Sequence, residues 1–178
     1  NLYSDRDAAS AVTSWSTAKS FTSLLIGMAI EQGAIQSASQ SASDFIDEWE
    51  ADDRANITIQ QLLDMRSGLI PKCSSFESAA VGECRDYPSA SSGGNIVYAA
   101  DQLSQCIDRE FAVPGTSYPW VSPQGNGAYE AGQFYYSNCD TQVLGEIIFR
   151  ATGQDPGLFA QQNLFEPLNM EGDWWRDD

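Results

Sequence analysis

The longest apolar segment of the chain, Phe21 to Ile30, opens on Ser16-Thr17-Ala18-Lys19 and closes just before Gly33. That pattern predicts a helix from about Ser16 to Gln32. Gly33 follows as the C′ residue that takes the left-handed conformation. Few other stretches alternate apolar with polar residues, and no internal repeat appears. The expected class is therefore mainly α, with five or six helices and little sheet.

Local signals divide the remainder. Gln36 to Ser43 is a Ser/Gln/Ala linker, and a short helix is expected over Asp44 to Trp49 with Ser43 as N-cap. Thr58 starts the next helix, and Gln61 three residues on completes a capping box. Its apolar face uses Leu62, Leu63 and Met65, and Ser67-Gly68 ends it. Lys72 to Asn95 reads as a loop, and Ile96 to Phe111 as a helix with Leu103 and Ile107 on one face, broken by Pro114-Gly115. Ser117 to Gln133 is a long loop rich in Pro, Gly, Tyr and Trp, too long to be idle in a compact domain. Asp140 is expected to cap a helix over Thr141 to Thr152, with Leu144, Ile147 and Ile148 inward and Gly153 as its stop. Asp155-Pro156 opens a last helix to about Leu164.

Composition narrows the partners. The 178 residues are 42% hydrophobic and 11% aromatic, as in a folded domain with a proper core. The net charge of −16 argues against nucleic acid and anionic membranes as partners. No apolar run reaches the roughly 18 residues of a membrane span, and no signal peptide is visible. Cys73, Cys84, Cys106 and Cys139 permit three pairings and lack metal-site spacing, so neither a metal nor another cofactor is expected. Two disulfides in an exported, periplasmic or extracellular protein stand against free buried thiols. Cys73 and Cys84 bracket a polar loop and form the expected local pair, leaving Cys106 with Cys139.

The chain contains no histidine, which excludes Ser-His-Asp and Cys-His catalysis from its own residues. A serine nucleophile here needs another base. Lys19, one of two lysines with Lys72, stands three residues after Ser16. Residues i and i+3 share a helix face, so Oγ and Nζ can come within hydrogen-bond reach. The helix N-terminus adds free N–H groups and a positive dipole end, where an oxyanion is stabilised. With 21 serines in the chain, this spacing is weak by itself. An ordinary solvent-facing Ser and Lys on a first turn is the bland alternative.

A second motif, Tyr136-Ser137-Asn138, lies just before the helix expected from Thr141. A phenol beside an ammonium loses its proton more easily and can act as general base. An asparagine amide can bond a lysine or a substrate carbonyl. The alternative is a buried tyrosine beside a capping turn.

Together these stretches resemble the serine β-lactamase and penicillin-binding-protein superfamily, in its class C β-lactamase-like branch of esterases and nylon-oligomer hydrolases. The resemblance is carried by SWSTAKSFTSLLIGMAIEQGAI at Ser14 to Ile35, ITIQQLLDMRSGL at Ile57 to Leu69 and PGT at Pro114 to Thr116. It continues in FYYSNCDTQVLGEIIFRATGQ at Phe134 to Gln154 and LFEPLNM at Leu164 to Met170. It implies Ser16 as acylated nucleophile, Lys19 as its proton partner and Tyr136 as general base and then acid. Asn138 would position substrate and lysine. Outside the resemblance, Tyr118, Trp120 and Tyr129 in the long loop either wall a substrate pocket or simply pack. Ser67-Gly68 would serve the fold. The substrates implied are small esters, amides or β-lactams, with no cofactor. The alternative function is a penicillin-recognising sensor or binding domain without turnover, or a β-lactamase or D-Ala carboxypeptidase.

Three departures stand out. The Lys-Thr-Gly or His-x-Gly strand of the family is absent, as are the strands that precede the nucleophile. The chain thus looks like one partial domain, residues 1–178, with a nucleophile-helix region (1–35) and a helical region (36–178) from the α+β fold. Alone it is expected to be nearly inactive, with Phe21, Leu24, Leu25 and Met28 laid bare on a poorly anchored helix. The stretch between Thr116 and Tyr136 is longer than usual in the family. Asn169 replaces a usual glycine, and asparagine tolerates the left-handed conformation.

Overall fold

A computed structural model describes residues 13–70, 101–118 and 129–174. Helix α1 (Ala18–Glu31) follows a 3-10 turn at Trp15–Thr17. It stops at Gly33, whose φ of 76° lets Ala34 N–H turn back to Ala29 O at 2.9 Å. The next segment forms 3-10 turns at Ala42–Asp44, Asp47–Trp49 and Asp53–Asn56, not a helix over 44–49. Ser41, rather than Ser43, is the cap. Its Oγ accepts Ser43 N–H and donates to Ala55 O at 2.7 Å, and Ala42 N–H bonds Ile57 O. The chain leaves helical geometry at Ile46, at φ −105° and ψ 83°, which interrupts a regular helix, while Ile46 and Trp49 are fully buried.

The capping box at Thr58 forms: Thr58 Oγ1 accepts Gln61 N–H, and Gln61 Oε1 accepts Thr58 N–H at 2.8 Å. Helix α2 (Ile59–Leu63) is nevertheless short, because Met65 turns left-handed at φ 54°. Helix α3 (Gln102–Ile107) is capped by Asp101 and ends four residues before Phe111. The missing turn has another use. Glu110 O accepts Ile70 N–H, and Ala112 N–H donates to Gly68 O, both at 2.8 Å, so 110–112 pair with 68–70. Gly68 is required at this crossing. Its φ is +83°, and a Cβ there would stand 2.8 Å from the Phe111 ring.

The long loop begins and ends in a short antiparallel ribbon, β1 (Ser117–Tyr118) against β2 (Tyr129–Glu130). Helix α4 (Asn138–Thr152) is the hub, packed by α1, α2 and α3. It begins three residues earlier than expected, since Ser137 and not Asp140 is its cap, and Gly153 ends it at φ 68°. Helix α5 (Pro156–Ala160), capped by Asp155, runs on into a π turn at Gln161–Phe165. Asn169 is left-handed at φ 51°.

The described part is thus mainly helical, around a core of Leu25, Ile26, Trp49, Val143, Ile147 and Phe159. Helix α1 is better anchored than expected. Leu25 is fully buried against this core and Phe21 and Met28 are half-buried, leaving Leu24 as the exposed member of the four.

Cys106 and Cys139 form a disulfide with Cα atoms 5.0 Å apart, joining the last turn of α3 to the first of α4. Cys73 and Cys84 lie outside the described residues. The bond joins residues 33 apart, so breaking it is expected to cost about 4 kcal/mol through the freed unfolded chain. Both cysteines are buried, so the effect should appear as a lower urea midpoint when unfolding is run in a reductant. An unchanged midpoint would show the bond contributes nothing.

Candidate active site

Ser16 lies in the 3-10 turn ahead of α1, and Lys19 is the second residue of the helix proper. Among the described residues Thr17 N–H bonds Ser14 O at 3.1 Å, and Ser16 lies just ahead of it, at the positive end of a 14-residue helix. Trp15, just before Ser16, takes φ 47° and is 73% exposed. A bulky residue in the left-handed region is strained, and here the strain turns the chain sharply into the helix.

Lys19 Nζ donates to Ser16 Oγ at 3.4 Å. The same ammonium sits 5.1 Å from the centre of the Tyr136 ring. The half-buried Lys19 thus bridges a serine at one end of the described chain to a tyrosine near the other. The contact with Tyr136 is through the ring face, which attracts a cation. Among the described residues the phenol oxygen makes no hydrogen bond to Ser16 or Lys19. Asn138 is the first residue of α4, half-buried, two positions beyond Tyr136. Trp120 lies outside the described residues.

The Tyr136 turn is held from beneath. Ser137 Oγ accepts Asp140 N–H at 3.1 Å, and Tyr135 N–H donates to Met65 O at 3.0 Å. Asp140 is 1% exposed, and its carboxylate oxygen accepts the hydroxyl of buried Ser67 at 2.9 Å. Burial pushes the Asp140 carboxyl up from its ordinary 3.8 to about 7, against the pull of the Ser67 and Ser137 hydroxyls and of Arg109. Reading Asp140 as a cap overlooked this pair. The Ser137-x-x-Asp140 spacing before an apolar run was the available signal, since it marks Ser137 as cap and turns Asp140 back into the first turn.

An open cleft of about 440 Å³ lies between α1, α2 and α4, lined by Lys19, Ser20, Leu24, Leu63, Met65 and Thr141 among others. Neither Ser16 nor Tyr136 lines it, so it is not the place where those groups meet. Among the described residues no cluster of His, Cys, Asp or Glu is arranged to hold a metal ion, and no helix is long and apolar enough to cross a membrane.

Comparison with known proteins points the same way as the geometry. A family model described as Beta-lactamase matches residues 6–178. No curated protein matches the chain. Among solved structures, the octameric penicillin-binding protein homologue from Pyrococcus abyssi is similar in fold, with a TM-score of 0.55 and 22% sequence identity. The match covers 86% of this chain but 30% of that one, so the chain spans under a third of the length of the protein it resembles. The chain belongs to the beta-lactamase family, whose members are generally serine hydrolases acting on small molecules.

Proposed function

We propose that this chain carries the nucleophile and the proton-transfer groups of a serine hydrolase acting on small esters or amides. One observation carries the reading: Lys19 Nζ lies 3.4 Å from Ser16 Oγ and 5.1 Å from the Tyr136 ring. Ser16 Oγ attacks the substrate carbonyl carbon. Its proton passes to the Lys19–Tyr136 pair and on to the departing alkoxide or amine. Water then attacks the acyl-serine ester, giving its proton back through the same pair. Catalytic hydrogen bonds are often long without substrate, which suits the 3.4 Å separation. Tyr136 is 39% exposed, free to rotate its phenol oxygen toward Ser16 as substrate enters. Ser16 N–H supplies one oxyanion donor, and Asn138 holds the substrate amide or carbonyl. The disulfide supports export to an oxidising compartment.

The test is covalent labelling with a fluorophosphonate, in which Ser16 Oγ displaces fluoride from phosphorus. The complete protein should gain one adduct on the Ser16 peptide by mass spectrometry, and Ser16→Ala should gain none. A label on another serine, or none in the folded wild type, overturns the reading. The similarity to a penicillin-binding protein homologue favours one alternative, a penicillin-recognising domain that acylates without turnover. A chromogenic ester separates the two, since steady release after the first equivalent marks a hydrolase and a one-equivalent burst marks a sensor.

A further inference from the structure

We propose that Ser67 and Asp140 are positioning residues that clamp the Tyr136 turn against Lys19, a role that rests on the serine-hydrolase reading above. Tyr136 itself is 39% exposed, and among the described residues its side chain meets the Lys19 ammonium. Its place must therefore be set by the backbone on either side. Two ties do this, and both run to the same short segment after α2. Upstream, Tyr135 N–H bonds Met65 O at 3.0 Å. Downstream, the Asp140 carboxylate takes the Ser67 hydroxyl at 2.9 Å, while Asp140 N–H bonds Ser137 Oγ.

The segment that makes both ties is itself rigid. Met65 is held left-handed by bonds from Met65 N–H to Leu62 O and from Arg66 N–H to Gln61 O. Residues 68–70 are pinned to 110–112. Ser67 is 5% exposed and Asp140 1% exposed, so water cannot replace their bond. A buried hydrogen bond between a hydroxyl and a carboxyl is directional, and its loss lets the first turn of α4 shift. A displacement of about 1 Å at a catalytic group can cost up to about 100-fold in rate. The segment that the family resemblance assigned to the fold thus also reaches the chemistry.

The experiment follows the rate of fluorophosphonate labelling at Ser16 in the complete protein, across a pH series, for Ser67→Ala, Tyr136→Phe and the double variant. Ser67→Ala is expected to slow labelling by roughly 10- to 100-fold. In the Tyr136→Phe background it should add little, because the clamp acts through that tyrosine. Asp140→Asn, which keeps an acceptor for the Ser67 hydroxyl, should restore most of the rate that Asp140→Ala loses. Circular dichroism identifies any variant that fails to fold. Should Asp140→Ala be one, the Ser67→Ala cycle decides alone. If Tyr136→Phe slows labelling but Ser67→Ala does not, or slows it by the same factor in both backgrounds, the clamp is wrong and the hydrolase reading stands. If Tyr136→Phe labels as fast as wild type, the hydrolase reading fails and takes the clamp with it.

Discussion

Replacing Lys19 with methionine is expected to slow acylation of Ser16 by about 10²- to 10⁴-fold, the usual loss when a positioned acid or base is removed. Methionine keeps the apolar stem and a good helix propensity, so α1 should survive the change. What disappears is the Nζ that reaches Ser16 Oγ at 3.4 Å and faces the Tyr136 ring at 5.1 Å. With no histidine among these 178 residues, none of them can supply an imidazole in its place. Lys19→Arg should fail almost as badly, because a broad planar guanidinium cannot stand in for the compact Nζ set between Ser16 Oγ and the Tyr136 ring. The measurement is the pseudo-first-order rate of fluorophosphonate labelling, read by mass spectrometry. A Lys19→Met protein within threefold of wild type would remove Lys19 from the mechanism.

Asp140→Asn is expected to remove a pH dependence of stability worth about 4 kcal/mol. The carboxyl moves from its ordinary 3.8 in the unfolded chain to about 7 in the fold. Between those values the folded protein binds a proton that the unfolded chain has released. Stability therefore falls as pH rises through that window, and levels off above about pH 7. The groups facing the carboxyl are the Ser67 and Ser137 hydroxyls and the charged Arg109. Glu48 and Asp52, held below the ordinary range by hydrogen bonds from Arg150 and Arg54, tilt stability the opposite way. They are present in both proteins and cancel in the difference. Urea unfolding of wild type and Asp140→Asn at several pH values between 4 and 8 gives that difference directly. If it stays constant across the range, Asp140 is ionised throughout and burial does not govern it.

Much of this protein is legible one segment at a time. The Thr58–Gln61 capping box, the Gly33 and Gly153 stops, the Asp155 cap and the left-handed Asn169 all appear where the residues call for them. Each depends on neighbours within a turn, and local sterics and hydrogen bonding decide such positions. The i, i+3 spacing likewise brings Ser16 and Lys19 within reach of one another. Where distant backbone competed, local reading failed. Residues 44–49 break at Ile46, next to a segment 41–43 tied to 55–57, and α3 stopped at Ile107 so that 110–112 could pair with 68–70. The Cys106–Cys139 bond is expected once Cys73 is paired with Cys84, and the meeting of Lys19 with Tyr136 is expected from the resemblance. The tertiary structure realises both, and it alone decided that Ser67 and Asp140 lock together. Those contacts join residues tens of positions apart. Their closeness comes from the packing of α1, α2 and α3 around α4, a balance of buried area across the whole core that no single stretch of sequence contains.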